Sequence, residues 1–295
     1  ERVLREGGRE FVASDREVDI TSARAVEEFF ASNEPGWVMN CAAYTAVDRA
    51  EDEPEAAERL NALGPENLAH ACAAHGAALV HVSTDYVFDG ERTGPYPEDA
   101  EPHPIGVYGK TKAAGERRIA AALARHIICR TAWLFGPGGG NFVATMLRLF
   151  SERDELTVVS DQHGRPTYAP DLAGVLVSLL DNAEVAAAQS AGGPGDARAA
   201  GPWGAYHFSN SGETTWYEFA TEIYRQATLR GLVSSTCSIR PVTSAEYPTK
   251  AHRPANSVLS TARTEAVLGE PLRPWQEALS DYLDTVEAAR SNSET

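Results

Sequence analysis

Short apolar runs alternate along this chain with longer stretches in which apolar residues recur at helical spacing. Residues 37–41, 78–82 and 127–130 are compact apolar runs bounded by polar residues and read as strands. Residues 22–32, 55–75 and 108–125 carry the helical pattern, with 55–75 rich in alanine. Residues 1–6 read as the last turns of a helix closed by Gly7 and Gly8, and 11–14 as a short strand. Such alternation predicts an α/β fold: a doubly wound, Rossmann-type parallel sheet with helices on both faces.

After Phe135 the rhythm changes. Gly136-Pro-Gly-Gly-Gly140 opens a helical stretch over 142–153 and reads either as a phosphate cradle or as a turn capped by Asn141. No lysine follows those glycines, which favours the turn. A strand over 156–160 leads into Asp161-Gln-His-Gly-Arg-Pro-Thr167, and Asp171 is placed to cap the next helix. Residues 183–204, rich in Ala, Gly and Pro, read as a mobile loop or insertion. A strand at 205–209, a helix from Thr214 or Thr215 to about 229 and a closing helix over 274–289 complete the pattern. At 295 residues the chain exceeds one typical domain. The expected division is a main domain over 1–155 and a smaller α/β lobe over 156–295, with 205–210 returning to the main sheet.

Acidic residues outnumber basic ones by 42 to 26, a net charge of -16, and no basic run relieves it. Nucleic acid is therefore not expected as a partner, while a polyanionic small molecule would need a local pocket of arginines or backbone amides. Cys41, Cys72, Cys129 and Cys237 show no CxxC or metal-ligand spacing. That argues against a disulfide framework or zinc site and for a reducing compartment, with the cytoplasm as the default. His81, His163 and His207 likewise lack metal spacing and read as structural or surface residues. No apolar run approaches a membrane span and no signal-peptide pattern occurs, so no membrane is expected.

Chemistry concentrates in two segments. Tyr108 and Lys112 stand four apart in a helical stretch, which puts phenol and ammonium on one face. A lysine held there favours phenolate by charge proximity and makes the phenol usable as a proton donor to a carbonyl under reduction. A lone YxxxK is more often a surface pair. Ser83-Thr84, at the end of an apolar strand two dozen residues upstream, overturns that reading.

Six segments in order carry a family resemblance: Asn40 to Asp48, Ser83 to Gly90, Tyr108 to Lys112, Arg130 to Trp133, Asp161 to Thr167 and Arg253 to Ser257. Together they resemble the extended short-chain dehydrogenase/reductase family, and within it the dTDP-4-dehydrorhamnose reductase branch, over nearly the whole chain. The resemblance implies an NAD(P)-binding main domain and a substrate-binding lobe. It implies reduction of the C4 keto group of dTDP-4-dehydro-L-rhamnose with NADPH or NADH. Tyr108 would be the general acid, Lys112 its tuning residue and the contact to the nicotinamide ribose, and Thr84 the hydroxyl beside the substrate oxygen. Ser83 would be structural or a backbone contact to cofactor. Asp19 and Ile20 correspond to contacts with the adenine end, and Ala43, Tyr44 and Thr45 to the loop beneath pyrophosphate and ribose. Asp15 and Arg16 stand where the adenosine ribose is read. The aspartate favours NADH and the arginine NADPH, so preference is open, with NADPH slightly ahead. Asp85 and Trp133 match substrate contacts, and Arg253 is a candidate diphosphate partner. A dTDP-sugar is the implied small-molecule partner, a homodimer is compatible, and no metal is carried over.

Neither GxxGxxG nor GxGxxG occurs near residue 1. The topology predicts a first strand and glycine turn, about twenty residues, ahead of Glu1. Two other readings stay open: another nucleotide-sugar reductase or epimerase, and a non-catalytic regulatory subunit resembling the methionine adenosyltransferase β-subunit.

Overall fold

Four strands, Trp37–Asn40, Ala78–Thr84, His126–Thr131 and Gly204–Phe208, pair in that spatial order, all parallel. This is a computed structural model that describes residues 1–190, 202–234 and 236–293. The inner strands are buried on both faces, which explains why they read as unbroken apolar runs. Alternation along each strand sorts the core. Leu79 and Ile128 face one way, against Val26, Phe30, Leu68, Cys72 and Ile119 from the helices Ala23–Asn33, Gly64–His75 and Val107–Ala122. Val80, Ile127 and Cys129 face the other way, against Leu172, Leu176 and Leu179 of the Ala169–Ser190 helix.

A separate core gathers Phe135, Val143, Phe150, Leu156, Phe219, Ile223, Trp275 and Leu283. Here Glu155–Val159 pairs in parallel with Ser238–Val242. The Trp216–Leu229 helix starts on a capping box between Thr215 and Glu218.

The stretch read as one alanine-rich helix is broken. A π-helical turn, Arg59–Leu63, joins the α-helical pieces Pro54–Glu58 and Gly64–His75. It turns Asn61 inward, fully buried, while Gly115 of the neighbouring helix gives it room: a Cβ there would lie 2.1 Å from the Asn61 carbonyl oxygen.

Three expectations are corrected. Residues 11–14 form no strand. Val12 is 63 % exposed, and among the described residues the edge strand Trp37–Asn40 pairs only with Ala78–Thr84, so this segment has no partner backbone. Residues 183–190 continue a helix, with Ala183 fully buried against the sheet; the rest of the expected loop, 191–201, lies outside the described residues. Asp171 is no cap, because the helix begins two residues earlier at Ala169. Its carboxylate instead accepts from Arg273 through both oxygens at 2.7 Å.

Candidate active site

The carboxyl ends of the parallel strands bring the chemistry together, as expected of an open α/β sheet. Asn40, Thr84 and Thr131 end neighbouring strands, and the Val107–Ala122 helix lies over that edge. Periodicity matches the two elements: His81 and Ser83, two apart on the strand, meet Lys112 and Glu116, four apart on the helix.

Thr84 is 6 % exposed. Its Oγ1 accepts from Tyr86 N–H at 3.2 Å, capping a single 3₁₀ turn, and donates to Asp85 Oδ1 at 2.9 Å. Tyr108 is half-buried, edge-on to Tyr86 with ring centres 5.5 Å apart. Burial pushes its phenol up to about 12; a hydrogen bond with Thr84 acts downward and the Asp85 charge upward. The Lys112 side chain is almost wholly buried and turns to the strand, donating to the Val82 carbonyl at 2.7 Å and touching His81 Nε2 at 3.1 Å. Burial draws Lys112 down to about 8, against the upward pull of Glu116 and Cys41.

Asp85 is buried beside this pair. Burial raises its carboxyl to about 6, opposed by hydrogen bonds from Thr84 and Ser257, and its Oδ2 has no protein partner. Ser83 donates to Glu116, which forms a buried bidentate pair with Arg130. Arg130 also contacts His207 Nε2 at 3.2 Å, and burial followed by the Arg130 charge brings that imidazole down to about 3. Ser83 is therefore structural in its side chain.

Of the residues assigned to the cofactor, Tyr44 is held by Asn61, while its phenol donates to Glu53 at 2.8 Å. Ala43 and Thr45 flank it in the same loop, and Asn40 Oδ1 accepts from Ala42 N–H at 3.0 Å. Ile20 packs on Gly64, where a Cβ would meet it at 2.7 Å, and Asp19 closes its own turn by accepting from Thr21. Asp15 and Arg16 lie in an exposed turn. Thr84, Tyr108 and Asp85 interact directly, and Lys112, one helical turn from Tyr108, bonds the same strand at Val82; Ile20 packs instead on Gly64, at the start of the Gly64–His75 helix. The convergent amine, phenol and hydroxyl fit the nicotinamide end of a dinucleotide, and the pinned backbone of the 41–46 loop fits close approach by its ribose.

Trp133 sits at φ +48° and stacks on Trp216, ring centres 3.7 Å apart and 11° from parallel. Gly164 lets it in: a Cβ there would come within 2.4 Å of the indole. Arg253 pairs with Asp48 at 3.0 Å. Burial raises the Asp48 carboxyl, but the Ala251 N–H and Arg253 together hold it below its usual range. Sequence reading did not find Asn61, Trp216 or the contact of His81 with Lys112. His81 was within reach, because it shares a strand face with Ser83.

Among the described residues no cluster of His, Cys, Asp or Glu is arranged to hold a metal, and no helix is long and apolar enough to cross a membrane. Fold and site define a Rossmann-type reductase architecture of the extended short-chain dehydrogenase/reductase kind. The chain belongs to the family described as RmlD substrate binding domain, whose model matches residues 1–288. It is 40 % identical to a dTDP-4-dehydrorhamnose reductase of Aggregatibacter actinomycetemcomitans, over 95 % of this chain and 92 % of that protein. A solved dTDP-4-dehydrorhamnose reductase from Clostridium acetobutylicum superposes with a TM-score of 0.86 at 39 % identity, covering 97 % of this chain and 94 % of that one. Another from Bacillus anthracis, solved in complex with NADP, gives 0.84 at 34 % identity, over 96 % and 94 %.

Proposed function

We propose that this chain is an NAD(P)H-dependent oxidoreductase that reduces the C4 keto group of dTDP-4-dehydro-L-rhamnose to give dTDP-L-rhamnose. The observation that carries the reading is the convergence of Thr84, Tyr108 and Lys112 at the carboxyl edge of the parallel sheet, in a member of this family. NAD(P)H, when bound, supplies the hydride. Tyr108, with its proton held tightly at neutral pH, donates that proton to the forming C4 alkoxide, which is a stronger base than phenolate. The Thr84 hydroxyl stabilises charge on the same oxygen as it develops. Lys112 would hold the ribose of the bound cofactor, and its charge would steady the phenolate left behind. Asp85, with one unpartnered oxygen, and Trp133, beside Trp216, would orient the sugar and its nucleotide. Arg253, tied to Asp48 here, would turn to the diphosphate when substrate arrives.

In this reading Ala43, Tyr44, Thr45 and Ser83 underlie the nicotinamide ribose and pyrophosphate, Asp19 and Ile20 the adenine, and Asp15 with Arg16 the adenosine ribose. The division into a cofactor domain over 1–155 and a substrate lobe over 156–295 belongs to the same proposal. Pairing of Gly204–Phe208 with His126–Thr131 supports the return of 205–210 to the main sheet. The Phe142–Glu152 helix packs in the second core, which argues for a crossing point somewhat ahead of 155. A cytoplasmic setting and a homodimer go with the reading, and sizing of the purified chain tests the latter.

The test is consumption of NADPH or NADH with dTDP-4-dehydro-L-rhamnose, with Tyr108→Phe alongside. Turnover that drops by about 10²-fold or more in the variant supports the assignment. No turnover from folded chain that binds the cofactor would sink this substrate.

A further inference from the structure

His81 is wholly buried on the central strand, directly opposite Asn40 in the parallel register. A backbone N–H only donates, so the Asn40 atom facing Ala42 N–H at 3.0 Å is the carbonyl oxygen. The amide nitrogen therefore faces His81 Nδ1, at 3.0 Å. That nitrogen only donates, so Nδ1 must accept, and the single proton of the neutral ring sits on Nε2. Nε2 in turn lies 3.1 Å from Lys112 Nζ. An ammonium there would set donor against donor. A free amine satisfies the contact: its lone pair accepts from Nε2–H while one N–H still donates to the Val82 carbonyl at 2.7 Å.

We propose that Asn40 and His81 are positioning residues for the reduction: by fixing the ring proton on Nε2 they present Lys112 with a donor, and so set the pH above which the lysine gives up its charge. This rests on the reductase reading above. Burial and the Lys112 charge hold the His81 imidazole well below its usual range, so a doubly protonated ring offers no escape, and its Nδ1–H would in any case oppose Asn40. The groups facing Lys112 are Glu116 from its own helix, Cys41 from the loop after the edge strand, and His81 with the Val82 carbonyl from the central strand. Glu116 is already shared between Arg130 and Ser83, which weakens its hold on the ammonium. The cation that steadies the Tyr108 phenolate is thus kept only just stable at neutral pH, and activity falls on the alkaline side as it is lost.

The first test needs no turnover. Nitrogen-15 NMR of the imidazole in the wild-type chain is expected to show the Nε2–H tautomer for His81; an Nδ1–H ring overturns the proposal. The second uses Asn40→Asp, whose carboxylate still accepts from Ala42 N–H but also accepts from Nδ1–H. The ring proton is expected to move to Nδ1, giving Lys112 an acceptor. The alkaline limb of kcat/KM should then rise by about one pH unit or more. A limb that stays in place while the ring proton moves overturns the link to Lys112; a purely structural role would lower kcat without moving the limb. Should the variant fail to fold, the wild-type tautomer decides. Should the wild type turn over no sugar, the reductase reading fails, while the tautomer and the Lys112 amine titration by NMR still decide this one.

Discussion

Asn61 grips the peptide of Tyr44 from both sides, accepting from its N–H at 2.8 Å and donating to its carbonyl at 3.1 Å. The same amide reaches Thr111 Oγ1 at 3.1 Å, so one side chain ties the 41–46 loop to the helix that carries Tyr108 and Lys112. The π turn makes this possible, since it alters the angular position of Asn61 relative to a regular helix. Asn61→Ala strands two backbone groups and should cost about 2–3 kcal/mol of stability. NAD(P)H affinity should weaken about tenfold, read by thermal melting and cofactor titration. Unchanged affinity would remove the loop from the cofactor site.

Gly109, next to Tyr108, has no space for a side chain: a Cβ would lie 2.0 Å from the Tyr86 carbonyl oxygen. Gly109→Ala should lift the helix from the turn that follows Thr84 and cost about 1–3 kcal/mol. A displacement on the order of 1 Å between Tyr108 and Thr84 should lower kcat by about 10²-fold with a smaller change in KM. Steady-state kinetics on folded variant would check the split.

Asp85 ties stability to pH with a definite sign. Its carboxyl is raised to about 6, chiefly by burial, so between the unfolded value near 4 and about 6 the native state binds more protons than the unfolded chain. Stability therefore falls as pH rises through that window. Asp85→Asn should raise stability by about 1–3 kcal/mol at pH 7, a gain that fades below about pH 4. The same variant should lose turnover. Melting curves across that range that run parallel for both proteins would contradict the argument.

Glu116 and Arg130 are each close to fully buried, with side chains 5 % and 6 % exposed. Glu116→Gln leaves the guanidinium without a counter-charge and should destabilise by about 3–5 kcal/mol. Joint replacement, Glu116→Leu with Arg130→Met, should recover most of that loss. Denaturant unfolding of the single and double variants gives the comparison.

Much of this architecture was legible in the sequence because it rests on local periodicity. The strand runs at 78–82 and 127–130 and the helix around Tyr108 fall where apolar spacing puts them. The Tyr108–Lys112 spacing and the Ser83-Thr84 strand end gave the site its outline, because side chains four apart on a helix share a face. What stayed hidden depends on contacts distant in sequence. The π turn at Arg59–Leu63 follows from packing of Asn61 against Tyr44 and Thr111, 17 and 50 residues away. The burial that raises the Tyr108 phenol and the bond from Lys112 to the Val82 carbonyl were also hidden, because sequence shows the spacing of the two along the helix but not what packs around them. Residues 11–14 read as a strand from composition, yet a strand exists only where neighbouring backbone completes its hydrogen bonds.

Trp133 touches two cores at once. It packs against the aromatic cluster around Phe88 and Tyr96, and also against the one built on Phe135 and Phe219, from which Trp216 rises to meet it. Two indoles in such contact share their excited states, so the pair is a built-in optical gauge of the seam between the two cores. Any rotation of one against the other that parts the rings would alter the coupled circular-dichroism band of the tryptophans, with no label added.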